Sequence, residues 1–366
     1  MFSGRFSGSG NPANSAPLVR RLRGVIILAA AMVFALIGSA AQAEPIRGAG
    51  STFAAPVIAK WATAYKNARA DGGDFFTLDW TVDYEPVGSL AGLMRLKQPE
   101  LDFAATDVPV PPADLARNGQ KQFPIVMGGI AVAANLDGLP EAGLRLSGPV
   151  LADIYLGVIK NWSDPAISAL NPGVALPDLA ISVFHRQDGS GSTHVFTEFL
   201  SASSELWKTR FGADTLIEWP LGTGAKGTQA LIRAVAATKG AIAYAEYGQA
   251  LRAGLPVAAV RNKSGNFVKP SPEGVQAAAA SVTWGQDFFA SLTDREGAAV
   301  YPISTAVFAV VQVSGRSEHR YRRVHDLFRL AFAARGASDA TALGYVPLPD
   351  ALVDQVERYW DGPVTD

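Results

Sequence analysis

GAGSTFAAPVIAKWATAY, running from Gly48 to Tyr65, joins a short extended lead-in to a helix through a loop of glycines and hydroxyl residues. The spacing of Val57, Ile58, Trp61 and Tyr65 predicts an amphipathic helix over Ala55–Ala68, and its one proline, Pro56, falls in the first turn, where a missing N–H is tolerated. In the loop ahead of it, Gly48 and Gly50 carry no Cβ, so the backbone can approach a ligand closely. Ser51 and Thr52 add O–H donors, and the first N–H groups of the helix add partial positive charge at the same spot. Such a helix tip suits an anion. The same residues would equally make an ordinary helix cap. The loop lacks the GK[ST] of a nucleotide-binding P-loop.

The pattern returns in HRQDGSGST, His185 to Thr193, where a predicted strand over Ile181–Phe184 enters a Gly/Ser turn and a helix is predicted to begin near Thr193. Arg186 adds a planar cationic fork, and Ser190, Gly191 and Ser192 supply hydroxyl and backbone donors. Asp188, two residues from Arg186, is placed to hold the guanidinium and offset its charge. Two further places carry chemistry. In VGSLAG, Val87 to Gly92, Ser89 precedes a helical stretch through Leu93 and Leu96, which also fits a plain serine cap. In DFAATDVPV, Asp107 follows an apolar, small-residue strand, a carboxylate where burial is expected, although an Asx-type turn fits it equally well.

Around these loops, strand-like runs alternate with helical ones, and no fixed-period repeat is present, so the class is α/β. Leu151–Ile159, Val195–Leu200, Gln229–Ala237 and Gly274–Ala280 are predicted helices; Ala241–Tyr244 and Ala306–Val313 are predicted strands. The apolar runs Phe123–Asn135 and Val300–Val313 are too short and too interrupted to span a membrane and are expected as buried strands. At the start of the chain, Arg20, Arg21 and Arg23 precede an apolar run from Val25 to Ala40 and the small-residue pattern Ala41-Gln42-Ala43, which is the pattern of a secretory signal peptide (residues 1–43) cleaved after Ala43. VRRLRG is a poor twin-arginine signal, so Sec export is expected. The remainder of the 366 residues is long enough for about two domains with a cleft between them.

Composition narrows the function. The chain has no cysteine, which excludes disulfides, thiolate metal sites, cysteine nucleophiles and an acylated-cysteine lipid anchor. A formal net charge of −1 argues against a nucleic-acid partner. Ser190 lies between glycines, with His185 and His194 nearby, but the string DGSGST is not the GxSxG elbow of a serine hydrolase. Only four histidines are present, two of them in the basic stretch His319, Arg320, Arg322, Arg323, His325, which is expected as a solvated helix face; no metal site and no cofactor are predicted.

Long specific strings carry a resemblance: GAGSTFAAPVIAKWATAY, LDFAATDVPV, FPIVMGGIAVAAN, LADIYLGVIKNWSDPAISALNPG, RQDGSGSTHVFT, GAKGTQAL, GAIAYAEY and YVPLPDALVDQV. Through them the chain resembles, nearly end to end, the phosphate-binding proteins of bacterial phosphate ABC transporters. That resemblance implies a two-lobed type II periplasmic-binding fold with a hinge of two crossing strands and the ligand in the interdomain cleft. The first lobe would comprise residues 44–133 plus 306–366 and the second residues 134–305, with the crossings near Ala133 and Ala306. It implies a non-enzymatic, monomeric periplasmic protein that captures inorganic phosphate and delivers it to the permease and ATPase subunits of the importer. Carried over by motif, the anion contacts are Thr52, Phe53 (through its backbone N–H), Ser89, Asp107, Arg186, Ser190, Gly191 and Ser192, supported by Asp188 and Ser51. Ser192 stands where family members often have threonine, and Leu90 replaces a second small polar residue after Ser89. Within that frame Asp107 is the discriminator: it accepts a hydrogen bond from phosphate or arsenate, which keep a proton at neutral pH, and repels sulfate, which does not. The alternatives are a site for another oxyanion, a serine-type hydrolase, and a surface sensor or adhesin on the same fold.

Overall fold

In the computed structural model, the described residues are 45–70, 81–139, 143–285 and 287–361, with five isolated positions among the first eight. The arginines, apolar run and Ala41-Gln42-Ala43 of the expected signal peptide lie outside them. Eleven strands are present among the described residues: β1 (Ile46–Gly50), β2 (Val82–Glu85), β3 (Phe103–Thr106), β4 (Gln120–Ala134), β5 (Arg145–Leu146), β6 (Ser182–Arg186), β7 (Thr223–Ala225), β8 (Ala241–Glu246), β9 (Ala259–Arg261), β10 (Phe267–Val268) and β11 (Ser304–Gln312). Eight form one sheet in the order β2-β1-β3-β11-β4-β8-β6-β7, and β10-β9-β5 form a small second sheet. This α/β architecture with parallel strands and intervening helices is the class the alternating pattern predicts.

β4 holds the large sheet together. All fifteen of its residues are buried, as expected of a near-continuous apolar run. Its partner changes along its length: Gln120–Gly129 pairs antiparallel with β11, and Ile130–Ala134 pairs antiparallel with β8. On one side of this change β1 runs parallel to β2 and β3; on the other β6 runs parallel to β7 and β8. The loops singled out in the sequence all leave the carboxyl ends of strands, GAGST from β1, Asp107 from β3 and QDGSGS from β6, where open α/β sheets place ligands.

Each half has its own aromatic packing. In the first, Phe123 meets Phe328 and Trp360 edge-on at 5.4 and 5.3 Å, while Trp61 of the helix Ala55–Ala70 donates through Nε1 to the Gly336 carbonyl at 3.0 Å. In the second, Tyr244 stacks on Phe196 at 4.6 Å and on Trp219 at 5.7 Å.

Four local expectations shift. The helix expected over Leu151–Ile159 spans Gly148–Tyr155, since Pro149 opens it one turn earlier; Val158 and Ile159 both turn back to the Asp153 carbonyl instead of continuing it. The helix expected to begin near Thr193 begins at Gly191, capped by Ser190. The run Val300–Val313 is strand only over Ser304–Gln312, because Tyr301 and Ile303 bond to Gly274 and Ile130. The basic stretch does form a helix, Glu318–Phe332, but it is not solvated throughout. Arg323 and His325 are buried. Asp102 takes the guanidinium groups of Arg320, at 2.7 Å, and Arg323, and His325 stacks on Trp360 at 4.4 Å, where burial, then the charges of Arg329, Lys121 and Arg322, lower its pKa to about 3. No helix among the described residues is long and apolar enough to cross a membrane.

Candidate functional site

Asp107 is the centre of the site. It is 2% exposed and follows β3, with its backbone N–H donating to Ser89 Oγ at 3.3 Å and its carbonyl accepting from Thr305 Oγ1 at 2.8 Å. Its carboxylate is shared between the two halves of the sheet. Ser51 Oγ donates to Oδ1, and Ser192 Oγ, from the loop after β6, donates to Oδ2 at 3.1 Å. Burial raises the Asp107 carboxyl to about 6, while the serine hydrogen bonds and the nearby Arg186 charge pull it down. At neutral pH it is therefore an anion that still has lone pairs to offer a protonated ligand.

Arg186 ends β6 and is 2% exposed. Its Nε donates to Asp188 Oδ1 at 2.6 Å and Nη2 donates to Oδ2, so the aspartate holds the guanidinium through a bidentate fork. Burial works to raise the Asp188 carboxyl pKa, but the Arg186 guanidinium and the Gly227 N–H, 3.0 Å from Oδ1, hold it below the ordinary value. The remaining arm, Nη1, donates to Thr52 Oγ1 at 2.9 Å and to Thr228 Oγ1 at 3.2 Å. The Arg186 N–H is held by Tyr244 OH at 3.1 Å, and Tyr244 OH lies 2.7 Å from Thr193 Oγ1.

The GAGST loop is held from several sides. Tyr84 OH donates to the Ser51 carbonyl at 2.8 Å, Gln249 Nε2 to the Thr52 carbonyl at 3.0 Å, and Tyr345 OH to the Phe53 carbonyl at 2.7 Å. The Phe53 ring is fully buried and packs on Tyr345, so the core takes the side chain and only the backbone of Phe53 borders the site. Ser89 is the first residue of the helix Ser89–Arg95 and not its cap; Gly88, at φ 95°, is the cap, and its N–H donates to the Gly50 carbonyl at 2.8 Å.

On the opposite side Ser190 caps the helix Gly191–Ser203, its Oγ accepting from Thr193 N at 3.3 Å, which leaves its hydrogen free to donate. Gly191 presses against Ser89 and Asp107, and the Leu90 N–H reaches the Gly189 carbonyl at 3.3 Å. All ten residues named from the sequence, Ser51, Thr52, Phe53, Ser89, Asp107, Arg186, Asp188, Ser190, Gly191 and Ser192, thus come to one place. The His185 ring stacks on Trp219 at 4.9 Å and its Nδ1 faces the Arg186 carbonyl at 3.0 Å. Among the described residues, no group of three or more His, Cys, Asp or Glu could hold a metal ion.

Thr228 and Tyr244 escaped the sequence reading. Thr228 opens the helix Thr228–Ala237 after Gly227, a third glycine-hydroxyl helix tip of the kind seen at Ser51–Thr52 and Ser190–Ser192, and GAKGT could have been read that way. Tyr244 carried no such signal, since nothing local distinguishes it from a core tyrosine. Beside Thr52 and Thr228 a cavity of about 290 Å³ opens, bordered by the exposed cations Lys226 and Arg233.

What the arrangement can do is enclose a small oxyanion with hydroxyl and backbone donors, one largely neutralised arginine and one proton-accepting carboxylate. Comparison with known proteins gives the family. The PBP superfamily domain matches residues 37–318. The phosphate-binding protein PstS of Pasteurella multocida (strain Pm70) is 38% identical over 332 residues, covering 90% of this chain and 94% of that one. The PstS of Xylella fastidiosa (strain 9a5c) is 36% identical over 326 residues, covering 88% and 87%. Among solved structures, a high-affinity periplasmic phosphate-binding protein (PfluDING) bound with phosphate superposes with a TM-score of 0.66 at 23% identity, over 86% of this chain and 93% of that one, a likeness that bears on the fold alone. With an α/β sheet that changes partner along β4, helix tips gathered at strand ends, and relatives of this identity along nearly its whole length, the chain belongs to the PBP superfamily and, within it, to the family of the phosphate-binding proteins PstS.

Proposed function

We propose that this protein captures inorganic phosphate in the periplasm and delivers it to an ABC-type phosphate importer. The observation that carries the reading is Asp107: a buried carboxylate, bonded by a serine from each half of the sheet. An anion taken out of water needs each oxygen satisfied. Here Thr52, Ser89 and Ser190 supply hydroxyls, Phe53 and Gly191 supply backbone N–H groups, Arg186 supplies the Nη2 hydrogen that Asp188 does not take, and the Ser192 hydroxyl turns from Asp107 to the anion when Asp107 accepts from the ligand. Asp107 then accepts from the one group that must donate, the P–OH of hydrogen phosphate. Arsenate keeps such a hydrogen and is expected to bind; sulfate lacks it and meets a lone pair, a buried repulsion worth several kcal/mol, or about a thousandfold in affinity.

Residues 44–133 with 306–366 form one lobe in this reading and residues 134–305 the other, with the hinge at the two crossings of the sheet. The change of partner in β4 between Gly129 and Ile130, and the return of the chain to β11 at Ser304, support crossings close to the expected Ala133 and Ala306. Closure about that hinge dries the site and presents a closed surface to the permease and ATPase subunits. The protein works as a monomer exported by a signal peptide cleaved after Ala43, carries no lipid anchor, and performs no hydrolysis. Use of the Ser190 Oγ as a helix cap and of His185 in a stack on Trp219 supports a binding role for this loop over a nucleophilic one.

Calorimetric titration of residues 44–366 with phosphate, arsenate and sulfate tests the reading. Tight binding of phosphate and arsenate, no detectable heat with sulfate, and no turnover of a phosphate ester are the expected results. Sulfate binding as tight as phosphate sinks it.

A further inference from the structure

Three polar atoms from three loops form a closed triangle beside the anion site. Arg186 Nη1 lies 2.9 Å from Thr52 Oγ1 and 3.2 Å from Thr228 Oγ1, and the two threonine oxygens lie 2.8 Å apart. The hydrogens of this triangle can be counted. Nη1 only donates, so each hydroxyl oxygen accepts from it. The threonines have one hydrogen each. One of these closes the Thr52–Thr228 edge, and the other points out of the triangle.

We infer that Thr228 is a positioning residue that donates its hydroxyl hydrogen to Thr52 Oγ1 and thereby turns the Thr52 hydrogen onto the bound anion. The inference rests on the phosphate reading above and adds to it a residue that acts without reaching the ligand. Two directions of the chain are possible, and an oxyanion separates them. If Thr52 donates to Thr228, a lone pair of Thr52 faces the anion and repels it. With Thr228 as the donor, the hydrogen of Thr52 faces the anion, and each bond in the sequence from Thr228 through Thr52 to the anion polarises the next. Thr52 is one of the anion contacts of the phosphate reading, so in that reading its remaining hydrogen is the one given to the anion. Thr228 is 4% exposed and is the first residue of its helix.

The Thr52–Thr228 bond also joins loops from the two halves of the sheet, since Thr52 follows β1 and Thr228 follows β7. It exists only when the halves are together. Its loss therefore acts on release of the ligand more than on capture, as contacts formed after encounter do.

The test uses the secreted form of the protein, with phosphate as the probe, and measures affinity by calorimetry and release by stopped-flow. Thr228→Val keeps the shape and removes the hydroxyl; it is expected to weaken phosphate binding about tenfold, mostly through faster release. Thr228→Ser keeps the hydroxyl and is expected to bind within about twofold of wild type. In a Thr52→Val background, Thr228→Val is expected to change nothing further, because the residue through which it acts is gone. Thr228→Val at wild-type affinity overturns the inference. So does Thr228→Ser as weak as Thr228→Val, which would mark a packing role, and so does a loss that persists in the Thr52→Val background. Wild-type protein that ignores phosphate overturns the phosphate reading itself, an outcome that the unsubstituted titration separates from the other three.

Discussion

A Cβ on Gly191 would stand 2.5 Å from Ser89 Oγ, closer than any carbon can come without displacing the serine. The Cβ and Cγ of Asp107 would lie at 2.7 and 2.8 Å from the same point. The start of the helix Gly191–Ser203, on one side of the sheet, is thus seated directly on the serine and aspartate of the other. It is the missing side chain at this position, more than backbone freedom, that lets the halves meet.

Gly191→Ala is accordingly a test of closure. Overpacking of this kind costs about 2 kcal/mol in the closed form and nothing in an open one, so phosphate affinity is expected to fall about thirtyfold. Alanine is otherwise well suited to a first helical position, and the melting temperature without ligand is expected to change little. Calorimetry and thermal unfolding measure the two effects separately; an affinity loss under about threefold contradicts the closed geometry.

Asp107→Asn tests selectivity. The amide offers a donor where the carboxylate offered only lone pairs, so sulfate is expected to become a measurable competitor for phosphate, while the preference for phosphate falls from about a thousandfold to about tenfold. Competition titrations read this directly, and continued exclusion of sulfate by the variant would remove Asp107 from its role.

The same substitution has a separate consequence for stability. Burial raises the Asp107 carboxyl from 3.8 to about 6 in the folded protein. A carboxyl raised on folding favours the native state below its unfolded pKa, and that contribution disappears as pH climbs through the folded value. Between about pH 4 and pH 7 the ligand-free wild type should therefore lose about 3 kcal/mol through this group. Asparagine cannot ionise. Denaturant unfolding at pH 4.5 and pH 8 is expected to find Asp107→Asn gaining on wild type as pH rises; a pH-independent difference would mean that Asp107 is not a buried charge.

Arg186→Lys separates charge from geometry. Lysine keeps one positive charge but cannot hold Asp188 through two nitrogens and reach Thr52 and Thr228 with a third. Phosphate affinity is expected to drop at least tenfold for Arg186→Lys and further for Arg186→Ala, measured by calorimetry at fixed ionic strength. A fully active lysine variant would reduce the fork to a point charge.

Legibility along this chain follows the range of the physics involved. The tips at Ser51–Thr52 and Ser190–Ser192 could be read because a glycine-hydroxyl turn and the helix that follows lie within a few residues of each other. Thr228 had the same local signal, but its partners Thr52 and Arg186 are 176 and 42 residues away. The basic run at His319–His325 shows the opposite failure. Its charges suggest a wet surface, and only the packing of Asp102 against Arg320 and Arg323, and of Trp360 against His325, puts half of it inside.

The sequence by itself determined the α/β class, the buried course of β4, the two principal helix tips and the absence of cysteine chemistry, all of which follow from periodicity, capping and composition. Tertiary structure alone decided that Asp107 is shared between Ser51 and Ser192, that Gly191 abuts Ser89, and that Thr228 completes the triangle with Arg186 and Thr52. Those relationships depend on where β4 changes partner and how the two sets of strand ends then face each other. That is a matter of chain segments far apart in sequence meeting in space, and no local pattern encodes it.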